Sequence, residues 1–243
     1  MNLVTWNCNG AFRNKTFLFD KSKHDIIVIQ ECEDPSKSTD EYKQWASNYL
    51  WIGNNKNKGL GVFCNDDILI EKLPWSDIDT NNNEKLESFL PCLINDEIIL
   101  IAIWTKKGSS KTNSYIGQLW KYLQIHKSKL KDKKVIMLGD FNSNDICYKS
   151  RRSWNHRDLI NELLELDIIS TYHILKNEEQ GKESLATFYL VKKLEKSYHL
   201  DYIFMSNNLF NSNFKLIVGE TKKWITYSDH MPLFYNNNIS NLK

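Results

Sequence analysis

The sequence lacks any long hydrophobic run. No segment approaches the roughly 20 apolar residues that a membrane-spanning helix needs. The first residues already have the character of a β-strand, with neither the basic region nor the apolar region of a secretory signal peptide. We therefore expect a cytoplasmic protein that does not associate with a membrane.

Cysteine is sparse and unpaired in its spacing. The five residues Cys8, Cys32, Cys64, Cys92 and Cys147 contain no CxxC pair, and four of them lie in or beside strand-like segments. An odd number of scattered cysteines argues against disulfides and zinc sites. It favours buried thiols in a reducing compartment.

The chain also lacks strong charge of one sign. Its net charge is +2, so any binding to a polyanion must come from a local patch. Arginine is rare as well, and three of the four arginines fall together at Arg151, Arg152 and Arg157. The remaining cations are lysines, which more often cover solvated surface than make specific contacts.

Proline- or glycine-rich linkers and short-period repeats are absent too, which predicts a single domain over residues 1–243. Strand-like segments outnumber helical ones, and several strands are joined as hairpins, with Asn95-Asp96 as the clearest turn. The pattern favours an α/β fold in which mixed sheets pack together with helices outside. The predicted helices cover residues 12–23, 40–50, 113–123 and 155–166, and the less regular predicted strands include residues 168–172 and 185–191.

Polar side chains recur where the apolar strands end. The run Val135-Ile136-Met137-Leu138 is followed by Gly139-Asp140-Phe141-Asn142, and Ile26-Ile27-Val28-Ile29 ends in Gln30-Glu31. Unbroken apolar runs are typical of strands buried on both faces. Carboxylates at the carboxyl ends of such strands lie where α/β sheets usually bind ligands. Each acid taken singly could be a loop cap, but several together predict a site for a hard metal ion.

Five motifs in order resemble one family. They are Trp6-Asn7-Cys8-Asn9-Gly10, Ile29-Gln30-Glu31, Gly139-Asp140-Phe141-Asn142, His199-Leu200-Asp201-Tyr202-Ile203 and Ser228-Asp229-His230. Their order and spacing over residues 1–236 resemble the endonuclease/exonuclease/phosphatase superfamily, which includes exonuclease III-type and pancreatic-deoxyribonuclease-type enzymes. The resemblance implies a four-layered α/β sandwich, two mixed β-sheets packed face to face with helices outside.

The resemblance also implies a role for each motif residue. Glu31, supported by Asn9 and Asp229, would hold Mg²⁺ or Mn²⁺, because hard cations prefer carboxylate oxygens. Asp140 would orient and deprotonate the attacking water, with Asn7 and Asn142 positioning the phosphate. His230, held by Asp201, would bind a non-bridging phosphate oxygen. We predict catalytic roles for Asn7, Glu31, Asp140, Asn142, Asp201 and His230.

Substrate contacts are predicted at two places. At Trp104 the family has a tyrosine or a histidine; an indole can supply neither group, so Trp104 either packs in the core or stacks on a base. The loop over residues 143–157 contains Arg151, Arg152, Trp154 and Arg157, which suit phosphate pairing and base stacking. The ordinary alternative is a charged loop in which Trp154 anchors the next helix.

These observations predict a metal-dependent phosphodiesterase, a monomeric nuclease acting on DNA, with RNA as a second candidate. A phosphatase acting on a nucleotide or an inositol phosphate shares every core motif and is the first alternative. A binding module that has lost activity is the second, and the intact set of motif residues argues against it.

Overall fold

A computed structural model describes residues 1–79, 83–108, 113–147, 154–210 and 213–237, with only the backbone of Cys147 described. The strands are β1 (Asn2–Asn7), β2 (Ile26–Cys32), β3 (Tyr49–Asn55), β4 (Lys58–Cys64), β5 (Ile70–Lys72), β6 (Ile78–Asp79), β7 (Glu84–Lys85), β8 (Phe89–Ile94), β9 (Ile98–Trp104), β10 (Lys134–Asp140), β11 (Ile168–Ser170), β12 (Phe188–Tyr189), β13 (Ser197–Tyr198), β14 (Asp201–Ser206), β15 (Lys215–Val218) and β16 (Leu233–Asn236). The α-helices are α1 (Asp40–Trp45), α2 (Ile116–Leu130), α3 (His156–Glu165), α4 (Thr171–Lys176) and α5 (Thr221–Trp224).

Two six-stranded sheets form the centre of the fold. The first has the order β15-β16-β1-β2-β4-β3, and the second has the order β11-β14-β10-β9-β8-β5. Both sheets are mixed: β1 and β2 are parallel in the first, β9 and β10 are parallel in the second, and the other pairs are antiparallel. Helices and single turns of 3₁₀ helix cover the outer faces, so the predicted four-layered α/β sandwich is confirmed.

Alternating side chains explain the unbroken apolar runs. In β10, Ile136 and Leu138 face the first sheet, whereas Val135 and Met137 pack beneath α2 and α3. Strand β2 divides its residues in the same way between the centre and the outer layer. A strand with protein on both faces needs apolar residues at every position. The two innermost strand pairs are therefore rigid supports for whatever follows their carboxyl ends.

Several predicted elements were wrong in type or length. The helix expected at residues 12–23 is a series of three 3₁₀ turns. The helix expected at residues 40–50 stops at Trp45, and its last residues begin β3. Residues 168–172 divide into β11 and the start of α4, and the strand expected at 185–191 is only the two residues of β12. In the first two cases, aromatic residues spaced as on a helix lie elsewhere: Phe12 is in a 3₁₀ turn and Tyr49 is in β3.

The remaining sequence features fall as follows. Asn95 and Asp96 both have positive φ, as the tight turn between β8 and β9 requires. Cys8, Cys32, Cys64 and Cys92 are free and buried. Within the described ranges, no helix is long and apolar enough to cross a membrane.

Candidate active site

Asp140 is the last residue of β10 and lies at the centre of the site. It is completely buried and pairs across the sheet with Asp201 on β14. The residue before it must be glycine, because Gly139 has φ of 142° and an added Cβ would lie 1.9 Å from the carbonyl oxygen of Ile103. Because β10 approaches β9 so closely here, the Asp140 carboxylate lies at the carboxyl end of an inner strand of the second sheet.

Both oxygens of Asp140 accept hydrogen bonds from asparagines. The backbone N–H of Asn142 donates to Oδ1 at 2.8 Å, and the side-chain amide of Asn142 donates to Oδ2 at 2.8 Å. Asn7, at the end of β1, donates from its own amide to the same Oδ2 at 3.0 Å. The carboxylate thus joins the two sheets, and its orientation is determined before any substrate arrives.

His230 faces Asp140 from the opposite side. Its Nδ1–H donates to Asp201 Oδ2 at 2.9 Å, while its Nε2 lies 3.8 Å from Asp140 Oδ2. The hydroxyl of Ser228 holds residues 228–230 against the end of β1. It accepts a hydrogen bond from the backbone N–H of His230 and donates one to the carbonyl oxygen of Asn7. The gap between Nε2 and Asp140 is too long for a direct hydrogen bond, so it can admit one bridging oxygen.

The charges of this cluster depend on one another. Burial raises the pKa of Asp140 to about 7, against the opposing effect of His230. Burial opposes protonation of His230, but the carboxylates of Asp201 and Asp140 outweigh it and raise its pKa to about 9. At neutral pH the imidazole is therefore charged, and Asp140 is a stronger base than an ordinary aspartate.

Glu31 reaches the site from the first sheet through an irregularity of β2. The pairing between β2 and β4 shifts register at this residue, and its φ is 65°. Such a bulge redirects a side chain that a regular strand would point elsewhere. Glu31 Oε1 lies 3.4 Å from the amide nitrogen of Asn7, and Oε2 pairs with the ammonium of Lys58 at 2.8 Å.

Asn9 and Asp229 lie on two loops that Lys15 joins. The ammonium of Lys15 donates to the carbonyl oxygens of Cys8, Gly10 and Tyr227, so it ties the loop after β1 to the loop before His230. The backbone N–H of Asn9 donates to Asn7 Oδ1 at 3.1 Å. Asn9 and Asp229 therefore lie on loops at the end of the first sheet where Glu31 also lies. Their role as metal ligands stays a prediction.

The donor set at Glu31 fits a divalent cation. Its carboxylate already has a cationic partner in Lys58, so the position is one where positive charge is stabilised, and the ligands are oxygens. A second group, Asp140, Asp201 and His230, has ligand atoms within 4.8 Å of one another. We favour Glu31, because the charged imidazole of His230 already donates a hydrogen bond to Asp201 and has no free lone pair for a metal.

Trp104 ends β9 beside Asp140 in the sheet and is nearly buried. The ammonium of Lys106 lies 4.9 Å from the centre of its ring, and that of Lys58 lies 5.7 Å away. Trp104 is thus a buried indole between two cations, one of which pairs with Glu31. Its contact with a substrate stays a prediction.

The predicted substrate loop is only partly described. Arg151 and Arg152 lie outside the described residues. Trp154 stacks on Trp120 of α2 at 5.3 Å, and Arg157 pairs with Asp145. These contacts match the alternative in which Trp154 anchors the helix that follows, and the substrate role of all four residues stays a prediction.

Some residues that hold the site together were missed by the sequence reasoning. Thr187 accepts from the backbone N–H groups of Leu200 and Asp201 through its hydroxyl, and its carbonyl oxygen accepts from Met231. Lys58 and Lys15 were missed as well. Among the residues that hold the site together, only Ser228 could be recognised in the sequence, because it belongs to the motif Ser228-Asp229-His230. A threonine in a loop and a lysine at a strand start look ordinary in sequence.

The fold and the site together define a hydrolase of phosphate esters. A profile of the Endonuclease/Exonuclease/phosphatase family matches residues 4–230, and the chain belongs to that family. The resemblance inferred from the five motifs is confirmed. A search of curated proteins by sequence found no match.

Solved structures with the same fold come from nucleic-acid enzymes. A 3′–5′ exonuclease of Neisseria meningitidis has a TM-score of 0.70 at 18% identity, with 97% of this chain and 99% of that chain covered. A 3′ phosphatase of Neisseria bound to a product DNA hairpin has a TM-score of 0.68 at 17% identity, with 98% and 99% covered. An AP endonuclease of Archaeoglobus fulgidus has a TM-score of 0.67 at 18% identity, with 98% and 100% covered. At these identities the likeness establishes the fold.

Proposed function

We propose that this protein is a divalent-metal-dependent phosphodiesterase, a nuclease that hydrolyses DNA. The observation that carries the proposal is the placement of Asp140. Its buried carboxylate is oriented by two asparagine amides and separated from the charged His230 by 3.8 Å. Hydrolysis of a phosphodiester needs an oriented base opposite a cationic group that binds the phosphate, and this geometry supplies both.

Each residue has a defined task in the proposed reaction. Asp140 Oδ1 or Oδ2 takes the proton of the attacking water, which its raised pKa favours. The charged His230, held by Asp201, donates its Nε2–H to a non-bridging oxygen. The side-chain amides of Asn7 and Asn142, which donate to Asp140 Oδ2, hold the base in its orientation. Glu31, Asn9 and Asp229 would hold Mg²⁺ or Mn²⁺. A bound divalent ion supplies neutralisation of the charge that develops on the phosphate.

DNA is the proposed substrate because the structural relatives include an AP endonuclease and a Neisseria enzyme that is described as a 3′–5′ exonuclease and, in a complex with a product DNA hairpin, as a 3′ phosphatase. Trp104, Arg151, Arg152, Trp154 and Arg157 are the predicted contacts to the nucleic acid. RNA is the second nucleic-acid candidate. A phosphatase for a small phosphate monoester is the other enzymatic candidate, because the same centre can hydrolyse either type of ester. A monomeric state and a cytoplasmic location stay predictions.

A parallel hydrolysis assay tests the proposal. Supercoiled plasmid, single-stranded DNA, a structured RNA and a generic phosphomonoester are incubated with Mg²⁺, with Mn²⁺ and with EDTA. We expect DNA cleavage that EDTA abolishes and that is lost in Glu31→Ala. Glu97→Gln is the matched control, because Glu97 pairs with Lys134 on the surface and its loss should leave cleavage intact.

The outcomes separate the candidates. Cleavage of RNA with DNA intact would keep the phosphodiesterase and change its substrate. Phosphate release from the monoester alone would replace the nuclease by a phosphatase. Inactivity on all four substrates, in a protein that still binds DNA, would favour the binding module.

A further inference from the structure

A cavity of about 500 Å³ opens beside Trp104, between the β3–β4 hairpin and the segment around β8. Its size is within the range of small-molecule sites. Five aromatic residues line it: Trp51, Trp75, Phe89, Trp104 and Tyr122. Such a concentration of rings in one cavity is typical of a site for a flat ligand.

The cavity adjoins the catalytic centre. Trp104 forms part of its wall and is the cross-strand neighbour of Asp140. Gly59, which also lines it, follows Lys58, whose ammonium pairs with Glu31. A phosphate bound between Asp140 and Glu31 therefore has the cavity beside it, where an attached nucleoside can reach.

Four of the five charged residues that line the cavity form two ion pairs, and the fifth is Lys72. Lys85 lies 3.6 Å from Asp77, and Lys106 lies 3.1 Å from Glu87, and all four residues line the cavity. These pairs leave little net positive charge for a second phosphate. The cavity suits an uncharged ring with polar edges, which is the description of a nucleobase.

Tyr122 adds a polar group to the aromatic lining. It is 2% exposed, and its hydroxyl has no hydrogen-bond partner among the described residues. An unsatisfied buried hydroxyl costs free energy. It has almost no accessible surface, so a polar ligand edge relieves that cost only after the ring shifts toward the cavity. The rings are held by neighbours: Tyr122 stacks on Phe89 at 4.5 Å, and Trp75 stacks on His126 at 4.7 Å.

We propose that this cavity receives the base of the nucleotide next to the scissile phosphate, turned out of the nucleic-acid stack. The inference rests on the proposed nuclease function and deepens it. A base can enter an enclosed aromatic cavity only when it is unpaired and unstacked. The preferred substrate is therefore single-stranded DNA or a frayed strand end, in preference to an intact duplex.

A binding experiment on the full-length Asp140→Asn variant tests the cavity without turnover. Short single strands carry 2-aminopurine at successive positions around the expected cleavage site. We expect fluorescence quenching at one position, because the base stacks on an indole. Adding Trp75→Ala should reduce the quenching and weaken binding about tenfold, and Trp75→Phe should restore part of both. Quenching that is the same in all variants would overturn the proposal.

Tyr122→Phe and its control Tyr235→Phe test whether the Tyr122 hydroxyl contacts the ligand. Tyr235 is also buried with an unpartnered hydroxyl, but it lies between the sheets. Tyr122→Phe should change the relative kcat/KM for strands differing in that one base, whereas Tyr235→Phe should not. Equal behaviour of the two variants would contradict a polar contact in the cavity.

Cleavage by the wild-type protein separates this inference from the proposed function. Strands with an abasic nucleotide at each position in turn should be cut about tenfold more slowly when the missing base is the one in the cavity. Cleavage that ignores the missing base would overturn the cavity proposal and keep the nuclease. Absence of any nucleic-acid cleavage would overturn the nuclease, and the fluorescence would still decide whether a base enters the cavity.

Discussion

The site has two halves of different character. On the second sheet, Asp140, Asp201 and the adjoining His230 are buried, and their side chains are 0%, 1% and 6% exposed. On the first sheet, the Glu31 side chain is 16% exposed and its partner Lys58 is 50% exposed. The buried half is connected by hydrogen bonds within the fold. In the open half, Glu31 pairs with Lys58, a side chain that solvent can reach.

In the proposed reaction, this difference would suit the two halves to different parts of the chemistry. A base and a phosphate-binding cation must keep a fixed geometry, which burial and shared hydrogen bonds enforce. A metal ligand must exchange partners, which partial exposure permits. In the proposed reaction, rigid binding of the substrate phosphate would therefore belong to the second sheet, and exchange of cations would belong to the first.

The largest expected effect comes from Asp140→Asn. The amide cannot accept a proton from water, so kcat should fall about 10³-fold or more. The chain should stay folded and retain DNA binding, because the side chain keeps its size and most of its hydrogen bonds. Single-turnover cleavage and circular dichroism measure the two properties. Loss of the fold in this variant would make Asp140 a structural residue instead.

A smaller loss of activity is expected for Asp201→Asn. The Asp201 carboxylate makes the largest of the three charge interactions that raise the pKa of His230, so the amide should lower that pKa. We expect kcat/KM to fall about 10- to 100-fold at neutral pH, because a smaller fraction of His230 carries the charge that binds the phosphate. NMR titration of the metal-free protein follows the imidazole directly. An unchanged imidazole pKa would contradict the coupling.

The free energy of unfolding should depend on pH partly through the buried side chain of His156. Burial lowers the pKa of His156 to about 4, so between pH 6.5 and 4 the unfolded chain binds a proton that the folded chain does not. The contribution of His156 to the free energy of unfolding should therefore decrease as pH falls through this window, by about 2 kcal/mol at pH 5 relative to pH 7. Asp140 and His230, whose pKa values are raised, contribute in the opposite direction, so the His156 contribution is obtained as the difference between the wild type and His156→Gln. Urea unfolding measures the decrease. His156→Gln should remove about one proton from the pH dependence, and a slope equal to that of the wild type would contradict this assignment.

The open half should show the smallest effect. Lys58→Gln removes the ammonium that competes for Glu31, so Mn²⁺ should bind about two- to fivefold more tightly. Lys106→Gln is the control, because Lys106 pairs with Glu87 instead. Electron paramagnetic resonance of free Mn²⁺ gives the affinity without any turnover. Identical affinities in the two variants would show that Glu31 is not the metal ligand.

The sequence predicted the strands of the two inner pairs and the polar residues at their carboxyl ends, because buried strands and polar strand ends leave local signals. It also predicted α3, whose apolar stripe is regular. It failed where tertiary packing decides. Phe12 was expected on a helix but belongs to a 3₁₀ turn. Tyr49 was expected to continue the helical stripe of Tyr42 and Trp45, but α1 ends at Trp45 and Tyr49 begins β3. The bulge at Glu31 and the pairing with Lys58 depend on the register of β4, which no local pattern encodes.

The contacts between Trp6 and His230, and between Ser228 and Asn7, have a consequence for the order of synthesis. These hydrogen bonds join residues 224 and 221 positions apart. At the usual ribosomal rate, the first catalytic strand waits roughly 11 to 45 s before its partners are made. Strand β1 must spend that time without β16 on one side, so the nascent chain has to protect an apolar edge strand that the finished protein covers. Catalytic competence is thus among the last properties that the growing chain acquires.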